Sequence, residues 1–233
     1  MRRTKQEAAR TRSAIVEGAL RCFDRYGIAH STLEQIARES GVTRGAVYHY
    51  FGGKRDILRA IREQVSVPLL DEADTELLKS AALPALERIE RFLLGVLHGL
   101  EKDPRKRVAF TVMQFKCEYV QDMGEELACA ARNTGQLVRA FESAYRQAHV
   151  DGSLAPGVKP RIAALETMMF LSGLLRLWLL GGSRSAYRKD AQDIVRAHVR
   201  SRGGTDAARA SPGASRKEAR GAAARPHGAT SSR

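Results

Sequence analysis

Residues 31–54 read STLEQIARESGVTRGAVYHYFGGK, and this stretch decides the fold. It opens with a capping box, in the frame Ser31–Glu34 or equally Thr32–Gln35. In such a box a hydroxyl accepts from the N3 N–H and the N3 side chain reaches back to the cap N–H. Leu33, Ile36 and Ala37 then share one helical face, and the run stops at Ser40–Gly41. Glycine there supplies the left-handed residue that commonly ends a helix. Thr43 caps a third short helix that ends near Tyr50, and Gly52–Gly53 breaks the chain. Two short helices joined by a glycine-containing turn make a helix-turn-helix, whose second helix lies in the DNA major groove with its first residues toward the base edges.

With Arg44 as origin, Tyr48, Gly45 and His49 fall at about 40°, 100° and 140° around the wheel, one continuous outward arc. Ala46, Val47 and Tyr50 fall on the opposite side with Thr43, so Ala46 and Val47 are expected to pack inward. Each outward residue has a task on DNA. Arg44 suits a guanine edge through two parallel hydrogen bonds. Gly45 leaves room for the groove, and Tyr48 and His49 suit phosphates or a thymine methyl. Thr32 and Thr43 stand at helix starts, where hydroxyls and N–H groups suit phosphate oxygens. Lys54 opens the next helix and is placed to pin the backbone, and Tyr50 completes the expected DNA-contacting set. The same residues also suit a plain three-helix packing unit with solvated charges.

Moving outward, helical spacing recurs along the chain and alternating strand patterns are scarce, which predicts an all-α fold of about nine helices. A first helix fits Lys5–Tyr26, with Ile15, Ala19, Cys22, Phe23 and Tyr26 in its stripe and Gly27 as its stop. A fourth begins near Lys54, with Asp56 in its first turn, where the helix dipole favours an anion. Pro68 interrupts its apolar run, so the domain boundary is expected there, with a DNA-binding head over 1–65 and a separate helical body over 66–200. Helices are expected over Ala85–Leu100 (opened by Pro84), Arg105–Tyr119, Glu125–His149, Pro160–Leu180 and Lys189–Arg200. Residues 201–233, rich in Gly, Ala, Ser and Arg without an apolar stripe, are expected to form a disordered basic tail.

The charge follows this division. The chain of 233 residues carries a net +13, a balance that points to a polyanion. Residues 1–65 hold 13 Lys and Arg against 7 Asp and Glu, whereas 66–200 hold 19 against 17 and 201–233 hold 7 against 2. The positive excess lies at the two ends, including a basic arm of Arg2, Arg3 and Lys5, and the body is nearly neutral. Three cysteines, Cys22, Cys117 and Cys129, make no disulfide framework and no zinc spacing, which fits a reducing compartment. The Arg-rich start lacks the apolar run of a signal peptide. The most apolar stretch, Met168–Leu180, is short for a bilayer and contains Ser172 and Arg176, so a cytoplasmic protein without a membrane partner is expected. No HExxH, GxGxxG or phosphate-loop pattern occurs, so neither enzyme, metal nor cofactor is expected.

The run Ile36–Ala37, Gly41–Val42–Thr43, Gly45, Val47–Tyr48, Tyr50–Phe51 and Lys54 resembles the signature of TetR-family repressors. Arg3–Ala8, Lys116–Tyr119, Gly173–Leu174 and Trp178–Leu179 resemble the subgroup typified by AcrR and TtgR, which represses multidrug efflux pumps. The resemblance covers about residues 2–200. It departs at His49–Tyr50, where members usually carry Trp-His. It implies a homodimer on a near-palindromic double-stranded operator, released by a small hydrophobic or aromatic ligand. It also implies a pocket among the helices holding Phe92, Val96, Phe110, Met113, Gln114, Cys117, Leu137, Phe141, Met168, Leu171 and Leu175. Gln114 is the polar candidate for orienting a ligand, because it interrupts an apolar run. The last two helices are implied to build a four-helix dimer face, with Leu174, Leu177 and Trp178 as anchors, although the same residues suit an intramolecular core. Two other readings stay open: a TetR-like regulator of other genes answering a different signal, and a basic nucleic-acid-binding protein without sequence preference.

Overall fold

The computed structural model describes residues 5–66, 83–117, 124–181 and 185–204. Ten α-helices stand among them: α1 Lys5–His30, α2 Leu33–Glu39, α3 Arg44–Tyr50, α4 Lys54–Ile61, α5 Ala85–Lys102, α6 Pro104–Phe115, α7 Gly124–Val150, α8 Pro160–Leu180, α9 Ala186–Lys189 and α10 Ala191–Arg200. The described residues contain no strand, only an isolated antiparallel bridge between Leu154 and Gly203. The fold is all-α, as the periodicity predicts.

Gly27 interrupts α1 with φ +77° and ψ 164°, so the regular helix ends where its glycine predicts. The capping box uses Thr32 and not Ser31. Gln35 N donates to Thr32 Oγ1 at 3.1 Å and Thr32 N donates to Gln35 Oε1 at 2.8 Å. Ser31 turns inward, nearly buried, and donates to Gly27 O at 2.7 Å. Gly41 holds φ +66°, a backbone that only glycine adopts without strain. Gly18 lets α1 and α2 cross closely. A Cβ there would meet Ser40 Oγ and lie 2.9 Å from Ser40 N.

Several boundaries differ from the expected ones. The fourth helix keeps α geometry only to Ile61 and continues as a π-helix over Arg62–Ser66. Pro68 and the boundary argued from it lie outside the described residues, as do Arg2, Arg3, Glu118 and Tyr119. The helix expected at Arg105–Tyr119 runs Pro104–Phe115, because Asp103 accepts from Arg105 N and Lys106 N and Pro104 fits the first turn. The helix expected at Lys189–Arg200 is two, α9 and α10, with Asp190 between them. The start of the expected tail is anchored: Ala155 N donates to Arg202 O at 2.9 Å and Gly204 N donates to Ser153 O at 3.0 Å. Residues 205–233 lie outside the described ones.

Two apolar clusters hold the described residues together. The head cluster gathers Ile15, Val16, Ala19, Phe23, Ile36, Val47, Phe51, Ile57 and Ile61, and it also takes Ala109 and Val112 from α6. The body cluster is built from α5, α7, α8 and α10 around Phe92, Phe141, Tyr145 and Trp178. α6 belongs to both, since Phe110 enters the body cluster and Met113 touches each. Helix α8 is long and apolar enough by length and composition to cross a membrane, which the shorter Met168–Leu180 run did not reveal. Its inner face, Ala163, Ala164, Thr167, Leu171, Leu174, Leu175 and Trp178, is buried in the body, while Ile162, Met169, Leu177 and Leu180 on its outer face are exposed.

Candidate nucleic-acid interface

The recognition candidate is α3, and its position follows from one buried residue. Val47 has no exposed surface and plugs the head cluster, while Ala46 is half-buried beside it. Everything opposite points outward: Arg44, Gly45, Tyr48 and His49 are all exposed, as the helical wheel predicts. Tyr50 is only half-exposed and packs against the head cluster, so it supports the helix from within. Its ring meets His49 edge-on at 5.0 Å, which orients the imidazole.

Arg44 and Tyr48 form a pair. Arg44 Nη2 donates to Tyr48 Oη at 3.3 Å, and the guanidinium lies 5.4 Å from the ring centroid. The i,i+4 spacing was the sequence signal for this contact. The pair limits the rotamers of both exposed side chains and presents a planar fork beside an aromatic edge. Gly45 is not required by the fold, because a Cβ there would meet nothing nearer than Thr43 Oγ1 at 4.0 Å. Its bare backbone leaves α3 a flat patch between the two side chains.

The helix starts are set as expected. Thr43 is exposed and accepts from Ala46 N at 3.2 Å, while Thr32 caps α2. Lys54 also has a place in the fold. Its ammonium donates to Ile28 O at 2.7 Å and Ala29 O at 2.9 Å, so it ties the start of α4 to the end of α1. Two of its three N–H donors serve the fold, which leaves one for a phosphate.

The head is joined to the body by contacts that no local sequence pattern signals. Arg105 of α6 pairs with Glu17 of α1 and donates to Gln64 at 3.3 Å. At the other end of α6, Lys116 pairs with Asp24 Oδ1 at 2.6 Å and also donates to the Asp24 carbonyl. Ile28 N donates back to Lys116 O at 3.3 Å. Helix α6 is thus clamped to α1 at both ends, with Ala109 and Val112 buried between. These partners lie 88 and 92 residues apart, beyond any local pattern.

The expected pocket residues divide into groups. Phe92, Val96, Phe110, Phe141, Leu171 and Leu175 are buried in one body cluster, and Met113, Leu137 and Met168 pack against it partly buried. Phe92 and Phe141 meet edge-on at 5.4 Å. Gln114 is exposed and lies on the side of α6 opposite the buried Val112, so the structure does not place it among these buried residues. Cys117 packs against the head cluster instead of the body. Of the expected dimer anchors, Leu174 and Trp178 are buried within the chain's own core, and Arg188 stacks over the Trp178 ring at 4.2 Å. Leu177 alone is exposed, at 43%.

Residues 15–61 match the family of bacterial regulatory proteins of the tetR type, and residues 84–201 match the C-terminal region of MAATS-type transcriptional repressors. The chain belongs to the TetR family. The family covers both the head that carries α3 and the body that carries the apolar cluster. TetR-family relatives include the transcriptional repressor BepR of Brucella suis, 33% identical over 185 residues, which span 78% of this chain and 86% of that protein. The transcriptional regulator TtgR of Pseudomonas putida is 32% identical over 193 residues, 77% and 85% of the two chains. The solved structure of NalD, secondary repressor of the MexAB-OprM multidrug efflux pump in Pseudomonas aeruginosa, superposes with a TM-score of 0.75 at 27% identity. It covers 85% of this chain and 98% of NalD. This TetR-family chain is therefore a helix-turn-helix transcriptional regulator.

Proposed function

We propose that this TetR-family regulator is a cytoplasmic, dimeric repressor of a multidrug efflux operon, binding a near-palindromic operator and released by a small hydrophobic or aromatic ligand. One observation carries the DNA side: Arg44, Gly45, Tyr48 and His49 stand exposed on α3 while Val47 behind them is fully buried. A helix seated this way offers its outward arc to base edges, with Thr32 and Thr43 toward phosphates. Two-fold symmetry sets the two α3 helices about 34–36 Å, or a multiple, apart on the duplex.

Support for the dimer comes from the outer face of α8. Ile162, Met169, Leu177 and Leu180 are exposed at 40–70% together with Ile194 of α10, an apolar stripe that water disfavours. The ligand reading rests on the body cluster, where aromatic rings and Met113 and Met168 offer surfaces that can re-pack. The clamped α6 carries the response, since its Phe110 faces the body cluster and its Ala109 and Val112 face the head. A ligand displaces the operator only if it binds the released arrangement more tightly. Moving the balance from 1:99 to 99:1 needs about 5.5 kcal/mol of difference.

The test is a footprint on the DNA upstream of the regulator's own gene and its neighbour, repeated with a panel of efflux-pump substrates. A two-fold symmetric protected site that opens with at least one hydrophobic drug is expected. Protection without symmetry, or no preferred site, contradicts the proposal.

A further inference from the structure

A cleft of about 290 Å³ lies between the end of α1 and the end of α6, lined by Asp24, Arg25, Tyr26, His30, Phe115 and Lys116 with the backbone of residues 27–29. It is separate from the body cluster and sits on the clamp that joins head to body. We propose that this cleft is a second ligand site, for a small planar aromatic carboxylate, and that its occupant acts on the α1–α6 clamp.

The chemistry follows from the polar atoms that line the cleft. Four backbone carbonyls along this edge already have side-chain donors. Asp24 O takes Lys116 Nζ, Gly27 O takes the Ser31 hydroxyl, and Ile28 O and Ala29 O take Lys54 Nζ. The one carboxylate, Asp24, is paired with Lys116. What the cleft presents is donors: the exposed Arg25 guanidinium, which hydrogen-bonds the Tyr26 side chain and lies 5.7 Å from its ring centroid, the exposed His30 ring, and the Lys116 ammonium, held by Asp24 of α1. An anion is the ligand that such a set accepts. Two rings make the remaining wall. Tyr26 is 43% exposed, with the Arg25 guanidinium over its ring. Phe115 is held from behind by the Arg176 guanidinium, 4.9 Å from its centroid. The space holds about ten water-sized groups, which fits a bicyclic acid. A carboxylate meeting Lys116 competes with Asp24 for that ammonium, and so loosens one end of the clamp. Binding stands apart from the repressor reading; only the effect on operator affinity rests on it.

The probe is 2-naphthoate, with its neutral isostere 2-naphthamide, titrated into the full-length protein and followed by amide NMR shifts and calorimetry. Naphthoate is expected to shift amides of residues 24–30 and 115–116, and naphthamide to bind at least about tenfold more weakly, the loss of one charge-assisted hydrogen bond. Arg25→Ala, an exposed substitution checked by its melting curve, is expected to weaken naphthoate by a similar factor. Parent operator affinity is expected to change with naphthoate, and that of Arg25→Ala much less. Equal binding of acid and amide, shifts confined to the body helices, no binding at millimolar probe, or bound naphthoate without any change in operator affinity would each overturn the proposal.

Discussion

Replacing Lys54 with Met separates the two tasks that its position implies. Met keeps most of the apolar stem and removes all three N–H donors. The parent ammonium makes hydrogen bonds of 2.7 and 2.9 Å to the carbonyls of Ile28 and Ala29. These groups follow the end of regular α1 geometry at Gly27 and have no helical partners ahead of them. A hydrogen bond to a charged group is worth about 1.5–3 kcal/mol, and the half-buried setting of Lys54 reduces this, so roughly 2–3 kcal/mol is expected for the two together. The head cluster shares α6 with the body, so the chain is expected to melt as one unit. For a unit of this size each kcal/mol lowers the midpoint by about 2–4 °C, giving a fall of roughly 4–12 °C. Differential scanning calorimetry of parent and Lys54→Met without DNA reads this directly. A variant that melts with the parent refutes the reasoning, and assigns Lys54 to DNA alone.

Three further outcomes follow. Gly18→Ala is expected to destabilise by about 1–2 kcal/mol in urea titrations, because overpacking against the Ser40 backbone outweighs the gain in helix propensity; an unchanged or raised midpoint contradicts the α1–α2 crossing. His198 is held neutral down to about pH 4 by burial, with Arg202 adding repulsion, and its Nε2 lies 3.0 Å from Thr167 Oγ1, which in turn meets Tyr145 Oη at 2.7 Å. The unfolded chain binds that proton near pH 6.5, so the stabilisation is complete above 6.5 and is lost as pH falls toward 4, by roughly 1–2 kcal/mol after allowing for solvent at a half-buried ring. Urea midpoints at pH 7.5 and 4.5 should converge in His198→Gln, and an identical acid loss in parent and variant rules this origin out. Met169→Glu with Leu177→Glu should yield monomers in sedimentation velocity while keeping the helical spectrum, because both side chains are exposed on α8; an intact dimer moves the interface elsewhere.

The sequence made the head legible because its determinants are local. Caps, the αL glycine at 41 and the inward Val47 all act within a few residues, and periodicity places the outward arc without reference to the rest of the chain. The body was legible as helices but not as surfaces. Apolar periodicity on α8 is nearly all-round, so the sequence could not separate Trp178, which packs inward beneath Arg188, from Leu177, which faces out. The exposure of Gln114 was not legible either, because an interruption in an apolar run does not say whether that helix face is buried or solvated. The clamp between α1 and α6 was not legible, because Glu17–Arg105 and Asp24–Lys116 are set by tertiary packing across long separations.

The central claim is that α3 reads duplex sequence through its outward arc. It is tested most directly by measuring affinity for the upstream palindromic fragment and for random duplex of equal length, across a salt series, for the parent and Arg44→Ala. The parent is expected to prefer the palindrome by roughly 10³-fold or more. Arg44→Ala is expected to lose about 1–3 kcal/mol on the palindrome and little of the discrimination at other positions. A parent ratio near one, or an Arg44→Ala variant as selective and as tight as the parent, would contradict the account.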